Sequence, residues 1–411
     1  MKRFKSIISV LLTLIMMFAF TIPAFADETG DSKMELKFNS DGKFKILAIA
    51  DAQDTDTPQK ETIDMLTNAL DESNPDLVVF LGDNIAGWWK GVDKAKTEQA
   101  IANIIEPVDE REIPFAIVFG NHDHEGLCDD NNKMAEEEAK AFQLACYQKY
   151  KTCLAVAGED MTGYCNYNLT IKSSTSDKDI FNLWLMDSNP YAEEGGYGYV
   201  QPDQTEWYIR KSNELKEQND GTPLPSLLFQ HIPVPEVYEL ADDLDKKEKG
   251  AVKGQTALTN KKYYKTNDKV TQGDFEEGPC SAGVAHNQFE TWKQQGDIIG
   301  AFFGHDHPND YLGTIDGIQL CAVPATGYYS YGWNHGARTI TLDENDLSTF
   351  ETTLYHNDDL LDYKVTPTYK AKHGYIEYKN VFIPAVSGTA AGVAVIAGII
   401  TAVIKIRKKK K

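Results

Sequence analysis

An α/β fold with a parallel sheet is predicted by three features of the first part of the chain. Between residues 43 and 118, short apolar, β-rich runs alternate with helical ones. Each run ends in a turn that carries an acid or an amide. The repeating order of strand, turn and helix is that of βαβ units, whose strands lie parallel in one sheet. Open sheets of this kind take their ligands outside the carboxyl ends of the strands, so these turns are where function is expected.

In order, residues 44–50 (FKILAIA) read as a buried strand ending in Asp51-Ala52-Gln53-Asp54. A helix follows over about 59–70, then a strand at 76–81 (DLVVFL) ending in Gly82-Asp83-Asn84. A second helix near 97–105 leads to 114–118 (PFAIV), and that strand runs into Phe119-Gly120-Asn121-His122-Asp123-His124-Glu125. An acidic helix is predicted over 132–150, its Glu136, Glu137 and Glu138 marking a solvated face. Residues 164–171 and 180–186 read as an antiparallel pair in a second sheet, and 201–215 as a helix with Pro202 in its first turn. The run 226–230 (SLLFQ) ends at His231. The polar stretch 236–283, rich in Lys, Asp and Gly, is expected to be an insertion, either a lid or a mobile loop. A helix at 288–294 and a strand at 298–303 then lead to Gly304-His305-Asp306-His307, with short β segments to about 355.

The two ends carry their own signals. Residues 1–26 have a basic start, an apolar run and an Ala24-Phe25-Ala26 cleavage pattern, the features of a secretory signal. Residues 381–404 are uncharged and long enough to cross a bilayer core of about 30 Å. The basic tail 405–411 places that end in the cytoplasm by the positive-inside rule, and so places the bulk of the chain outside the cell membrane. The expected organisation is therefore signal 1–26, polar leader 27–42, domain 43–355, stalk 356–380, transmembrane helix 381–404 and tail 405–411. At 411 residues the length allows two or three domains, although large α/β folds often stay single.

With three basic residues in the signal, six in the tail and no acids in either, segment 27–380 carries −30, against −21 for the whole chain. Such a surface repels nucleic acid, and an anionic substrate would need local positive charge, which bound cations supply. The six cysteines (Cys128, Cys146, Cys153, Cys165, Cys280, Cys321) include no C-x-x-C pair, which argues against structural zinc. In an extracytoplasmic chain the first four could form disulfides. Asn168-Leu169-Thr170 is a glycosylation triplet of a kind that also arises by chance.

Collected from the strand ends, Asp51, Gln53, Asp83, Asn121, His122, His231, His305 and His307 are carboxylate, amide and imidazole groups, which ligate Mn, Fe and Zn. Alternation along an extended stretch puts His305 and His307 on one side. Two ions about 3.5–4 Å apart clamp a phosphate and hold a hydroxide at neutral pH. The ordered motifs DAQ (51–53), GDN (82–84), GNHD (120–123), His231 and GHDH (304–307) resemble those of the calcineurin-like metallophosphoesterases. The text IPFAIVFGNHDHE, LWLMDS, QHIPVPE, FFGHDHPNDY and PATGYYSYGWNHGAR is similar to the purple-acid-phosphatase-related subgroup with the Dcr-type phosphatases. The resemblance covers about 43–345.

The resemblance implies a four-layer α/β/β/α sandwich of two mixed sheets and a pair of divalent ions of Mn, Fe or Zn type. The first ion would take Asp51, Gln53, Asp83 and His307; the second, Asp83, Asn121, His231 and His305. His122 would act as general acid or transition-state stabiliser, oriented by Asp123. The implied activity is hydrolysis of phosphate esters by a metal-bridging hydroxide, here in a membrane-anchored, extracytoplasmic enzyme. One residue departs from the family pattern: Gln53 stands where the family has His, and a neutral amide oxygen is a weaker ligand than imidazole. The alternative is therefore a surface binding module that keeps the fold with little or no catalysis.

Other residues carry open readings. His124 and Glu125 either line the pocket or are solvated turn residues. Asn309 and Asp310 are expected to fix a turn. Tyr328, Tyr329, Tyr331 and Trp333 either bind an organic group or pack, and Arg338 either meets phosphate or forms a structural ion pair. No P-loop, G-x-S-x-G or H-E-x-x-H occurs, so kinase, serine hydrolase and zincin chemistries lack support.

Overall fold

The computed structural model describes residues 34–365. The signal 1–26, transmembrane helix 381–404 and tail 405–411 expected from the sequence lie outside the described residues. Among the described residues, no helix is long and apolar enough to cross a membrane.

The strand–turn–helix alternation is realised as β1 (Leu36–Lys37), β2 (Lys43–Ile49), α1 (Lys60–Ser73), β3 (Leu77–Leu81), α2 (Lys94–Asp109) and β4 (Phe115–Val118). The short α3 (Glu125–Cys128) and then α4 (Glu136–Tyr147) precede β5 (Tyr167–Lys172), β6 (Asp179–Leu185), α5 (Pro202–Gln218) and β7 (Ser226–Gln230). Next come β8 (Ala241–Leu244), β9 (Val252–Lys253), β10 (Tyr263–Thr266) and β11 (Val270–Gln272). The remainder is α6 (Gln288–Gln295), β12 (Ile298–Phe303), β13 (Leu312–Ile315), β14 (Ile318–Ala322), β15 (Gly336–Asp343), β16 (Asp346–His356) and α7 (Asn357–Leu360).

Two mixed sheets form. One has five strands in the order β16-β15-β2-β3-β4, with β2, β3 and β4 parallel. The other has eight, in the order β1-β5-β6-β7-β12-β14-β13-β11, with β6, β7, β12 and β14 parallel. Side-chain alternation shows how they stack. Leu227 and Phe229 of β7 join Phe302 in the core shared with the five-stranded sheet, while Leu228 and Phe303 belong to a second core with Trp207 and Trp292 of the covering helices. Helices α1 and α2 bury Met65, Leu66, Ile101 and Ile104 with the first sheet. The result is helix, sheet, sheet, helix, and it aims β2, β3, β4, β7 and β12 at one edge.

Three boundaries differ from expectation. The polar leader 27–42 is not all leader: Leu36–Lys37 pairs in parallel with β5, because Leu36 and Phe38 are apolar enough to be buried. The insertion 236–283 is not a loop. It folds as a three-stranded sheet, β8-β10-β9, and its β11 joins the edge of the eight-stranded sheet. The stalk assigned to 356–380 starts inside the domain, since α7 buries Leu360, and Asn68 of α1 donates to the Leu360 carbonyl (2.6 Å). All six cysteines are free thiols, so the first four staple nothing.

A buried ion pair ties α4 to the end of β6. The Lys140 ammonium, 1% exposed, lies 2.7 Å from the Asp187 carboxylate and 2.9 Å from Glu136. Asp187 also accepts the backbone N–H of Tyr164 and Asn189, both at 2.8 Å. Burial works against the charged ammonium, but these carboxylates outweigh it and hold its pKa above the usual lysine value. Lys140→Met should strand the Asp187 charge and cost about 3–5 kcal/mol in denaturant unfolding, the range for removing one partner of a buried pair.

Candidate metal centre

The turns after five parallel strands converge. Asp51 and Gln53 follow β2, Asp83 follows β3, Asn121 and His122 follow β4, His231 follows β7, and His305 and His307 follow β12. Asp51, Gln53, Asp83, Asn121, His231, His305 and His307 are all nearly inaccessible to solvent. One ligand atom each from Asp83, His231 and His305 lies within 4.8 Å of the others. His307 Nε2 is 3.4 Å from Asp51 Oδ1, and Gln53 Nε2 donates to Asp83 Oδ2 at 2.8 Å. Asp83 stands between the two halves of the cluster, since the same Oδ2 is 3.3 Å from His231 Nε2.

The backbone is strained to make this approach. Asp51, Gln53, Asp83 and His305 have φ of +48°, +37°, +48° and +71°, left-handed conformations that cost non-glycine residues about 1–3 kcal/mol each. Gly120 is required because a Cβ there would sit 2.2 Å from Asp83 Oδ1. Gly304 is required likewise, its Cβ falling 2.7 Å from Asp51 Oδ2.

The donor set fits divalent cations. Asp51 Oδ1, Gln53 Oε1, Asn121 Oδ1 and His305 Nε2 are buried without a hydrogen-bond partner, an unusual concentration of unmet polar atoms. Two of the imidazoles are fixed through the nitrogen that faces away: Nδ1 of His231 meets the Leu81 carbonyl at 2.8 Å, and Nδ1 of His307 meets the Tyr331 carbonyl at 2.7 Å. This is the arrangement that leaves Nε2 for a metal. Electrostatics point the same way. Burial opposes a charged His231, but Asp83 and Asp51 carry its pKa up to about 10. Burial would raise Asp83, yet His231 and His122 hold it well below the usual carboxylate range. Burial and the neighbouring His231 push His305 well below the usual imidazole value. Asp83 and Asp51 thus favour the protonated form of His231, and a proton and a cation would compete for the same contact.

Asp123 plays a different part from the one expected. Its carboxylate accepts four backbone N–H groups: Gly120 (2.7 Å), Asp83 (3.0 Å), Asn84 (2.8 Å) and Ile85 (3.1 Å). It braces the turn after β3 against the turn after β4. The ring of His122 is held instead by Glu125, whose Oε2 lies 2.7 Å from Nδ1, while the Trp88 ring packs 4.6 Å away, centroid to centroid. Burial opposes a charged His122, but Asp83 and Glu125 raise its pKa above the usual value. Glu125 three residues after His122, at the start of a helical turn, was the available signal for this pairing.

The remaining candidates separate. His124 is buried, 3.7 Å from Glu136. Asn309 accepts the amides of Glu276 and Glu277, both at 2.9 Å, and Asp310 accepts that of Asp274 at 2.8 Å, so they pin the insertion to the GHDH turn. Tyr328 and Tyr329 are packed in the core, whereas the Tyr331 ring stacks on His307 at 4.2 Å and Trp333 Nε1 donates to Glu276 at 3.0 Å. Arg338 is fully buried. It reaches the Gln272 side chain and the Asp310 carbonyl, which excludes it from phosphate and gives it neutral partners in place of an ion pair. Asp123→Ala would leave four buried amides unsatisfied, and thermal unfolding should show a loss of at least about 3 kcal/mol.

A family model for calcineurin-like phosphoesterases matches residues 44–309, more than half of the chain. Among curated proteins, the chain is 29% identical over 360 residues to Probable inactive purple acid phosphatase 14 of Arabidopsis thaliana, covering 79% of each. It is 28% identical over 358 residues to Probable inactive purple acid phosphatase 29 of the same plant, covering 79% of this chain and 82% of that one. It is 26% identical over 314 residues to Phosphatase DCR2 of Saccharomyces cerevisiae, covering 70% of this chain and 48% of that one. With the five ordered motifs gathered at one sheet edge, the chain belongs to the calcineurin-like phosphoesterase family.

Proposed function

We propose that the chain hydrolyses phosphate esters at two divalent cations held at this edge, with His122 serving the leaving oxygen. The observation that carries the reading is the set of buried, partnerless polar atoms beside the Asp83–His231–His305 cluster. Asp51, Gln53, Asp83 and His307 would hold one ion; Asp83, Asn121, His231 and His305 the other. When bound, such a pair supplies positive charge for the phosphate oxygens and lowers the pKa of bound water.

The protein's own groups do the rest. Asp83 is placed to bridge, its two oxygens already meeting groups from both sides: His122 N–H at 2.8 Å on Oδ1, and Gln53 and His231 on Oδ2. Leu81 and Tyr331 fix two imidazoles in the tautomer that ligates. Glu125 engages Nδ1 of His122, so Nε2 is the nitrogen left to give a proton to the departing oxygen. His122 is partly accessible, 32% exposed at the side chain, while the metal ligands are not. Anchoring in the cell membrane, with the domain outside, belongs to the same proposal and rests on residues 381–411 of the sequence.

A second reading is favoured by one residue. Gln53 spends its amide nitrogen on Asp83 and contributes a neutral oxygen where the family has imidazole, so the first ion would be held weakly and the chain would act chiefly as a binding module. The names of the Arabidopsis relatives, which call those proteins probably inactive, are consistent with it.

Three outcomes test these readings. The domain loaded with Mn²⁺ should turn over aryl and alkyl phosphates, and His122→Ala should lower kcat on the alkyl ester by about 10²–10⁴-fold, and much less on the aryl ester, with metal content by elemental analysis unchanged. No turnover with any divalent ion would leave the binding reading standing. Gln53→His should tighten the weaker of two calorimetric metal-binding steps and raise activity. With the His231 pKa carried up to about 10 by Asp83 and Asp51, protons compete with the cation, and apparent metal affinity should tighten by up to about tenfold per pH unit between pH 6 and 8.

A further inference from the structure

We propose that Tyr191 is a positioning residue for His122, acting through Glu125. The inference rests on the reading above, in which His122 protonates the leaving oxygen.

Glu125 has two carboxylate oxygens and uses both at this site. Oε2 meets His122 Nδ1 at 2.7 Å, and Oε1 accepts the Tyr191 hydroxyl at 3.0 Å. The Asn121 side-chain amide reaches the same hydroxyl at 3.4 Å. One phenol oxygen therefore lies between the carboxylate that holds the proton donor and an amide on the ligand turn. Glu125 is 29% exposed at its side chain. Without a second tether, its carboxylate would be free to turn about its own bonds, and the ring hydrogen-bonded to it would follow.

Tyr191 is delivered by a local device that the sequence motifs do not include. Tyr191 and Tyr197 form an isolated antiparallel bridge. Ala192 N–H donates to the Gly196 carbonyl (3.1 Å), and Gly195 N–H to that of Ala192 (2.9 Å). Gly195 and Gly196, at φ of +93° and +88°, close this small hairpin with open space around them. The two tyrosine rings stack at 6.2 Å, and the Tyr197 ring packs edge-on to His305 at 4.2 Å. The base of the hairpin thus rests on a metal-site imidazole while Tyr191 extends to Glu125. Tyr191 is 49% exposed, so its place here is not set by burial.

The chemistry makes the role measurable. Water adds its oxygen to phosphorus and gives up a proton to solvent. The bond from phosphorus to the leaving oxygen breaks with its electron pair on that oxygen, which takes a proton from His122 Nε2; solvent then reprotonates the ring. A nitrophenolate leaves readily as an anion, whereas an alkoxide needs the proton as the bond breaks. Misplacing His122 therefore penalises alkyl esters more.

The test compares Tyr191→Phe with wild type on 4-nitrophenyl phosphate and on an alkyl phosphate such as glycerol phosphate, both with Mn²⁺. The alkyl-ester kcat should fall by about tenfold or more and the aryl-ester kcat by less than about threefold, with KM little changed on either. Glu125→Gln should give the same pattern with larger losses. The second arm needs no turnover. In histidine-labelled protein, the hydrogen-bonded imidazole N–H resonance that disappears in His122→Ala should shift and broaden in Tyr191→Phe. Equal losses on both esters, or an unmoved resonance, overturn the inference. Wild type inactive on both esters overturns the functional reading instead, and the resonance still decides whether Tyr191 positions His122.

Discussion

The carboxylate of Asp123 is the constraint on which the centre depends. Two turns that end neighbouring parallel strands present their amides to it, and four of those amides are satisfied by this one side chain. It fixes the distance between the Gly82-Asp83-Asn84 turn and the Gly120-Asn121-His122 turn, and so the position of Asp83 relative to Asn121. Asp83 is left-handed, and a Cβ at Gly120 would collide with it, so the two turns meet with no room for a side chain between them. A buried carboxyl group that accepts four backbone N–H groups is held in place where a solvated one is not.

Around that brace the molecule tolerates conditions that a structural core would not. Four residues lie in costly backbone conformations, four buried polar atoms lack partners, and acidic and imidazole groups are crowded at low dielectric. Each of these opposes folding, and together they oppose it by several kcal/mol. The two apolar cores carry that load: one between the sheets, one under α5 and α6. The Lys140–Asp187 pair contributes at the site itself, because Ser188, next to Asp187, accepts the amide of Ile232 and so fixes the residue after His231. Stability and site geometry are therefore held by the same contacts.

Much of this was legible in the sequence, for physical reasons. Strands buried on both faces read as unbroken apolar runs, so β2, β3, β4, β7 and β12 and the ligand turns after them could be placed from local pattern. What could not be read depended on partners far away in the chain. The resemblance implied that Asp123 orients His122, but adjacent side chains on a turn diverge, and its carboxylate takes the amide of Gly120 together with those of Asp83, Asn84 and Ile85, far back in the chain. Glu125, three residues after His122, lies within reach of local reasoning. The insertion appeared loop-like because β8–β11 are short and mostly polar outward, and their pairings are set by the rest of the fold. Tyr191 belonged to no motif; only the closure of its hairpin brings it to Glu125.

The tie between the insertion and His307 has a consequence for remodelling this scaffold. Tyr331 holds His307 twice, by its carbonyl and by its ring, and its hydroxyl is bonded to Glu277 of the insertion at 2.7 Å. Rim and centre are therefore one mechanical unit. Grafting a foreign rim in place of residues 236–283 would remove a support from under the His307 imidazole, which belongs to a separate segment further along the chain. A chimera of that kind would have to carry the 328–333 loop along with it.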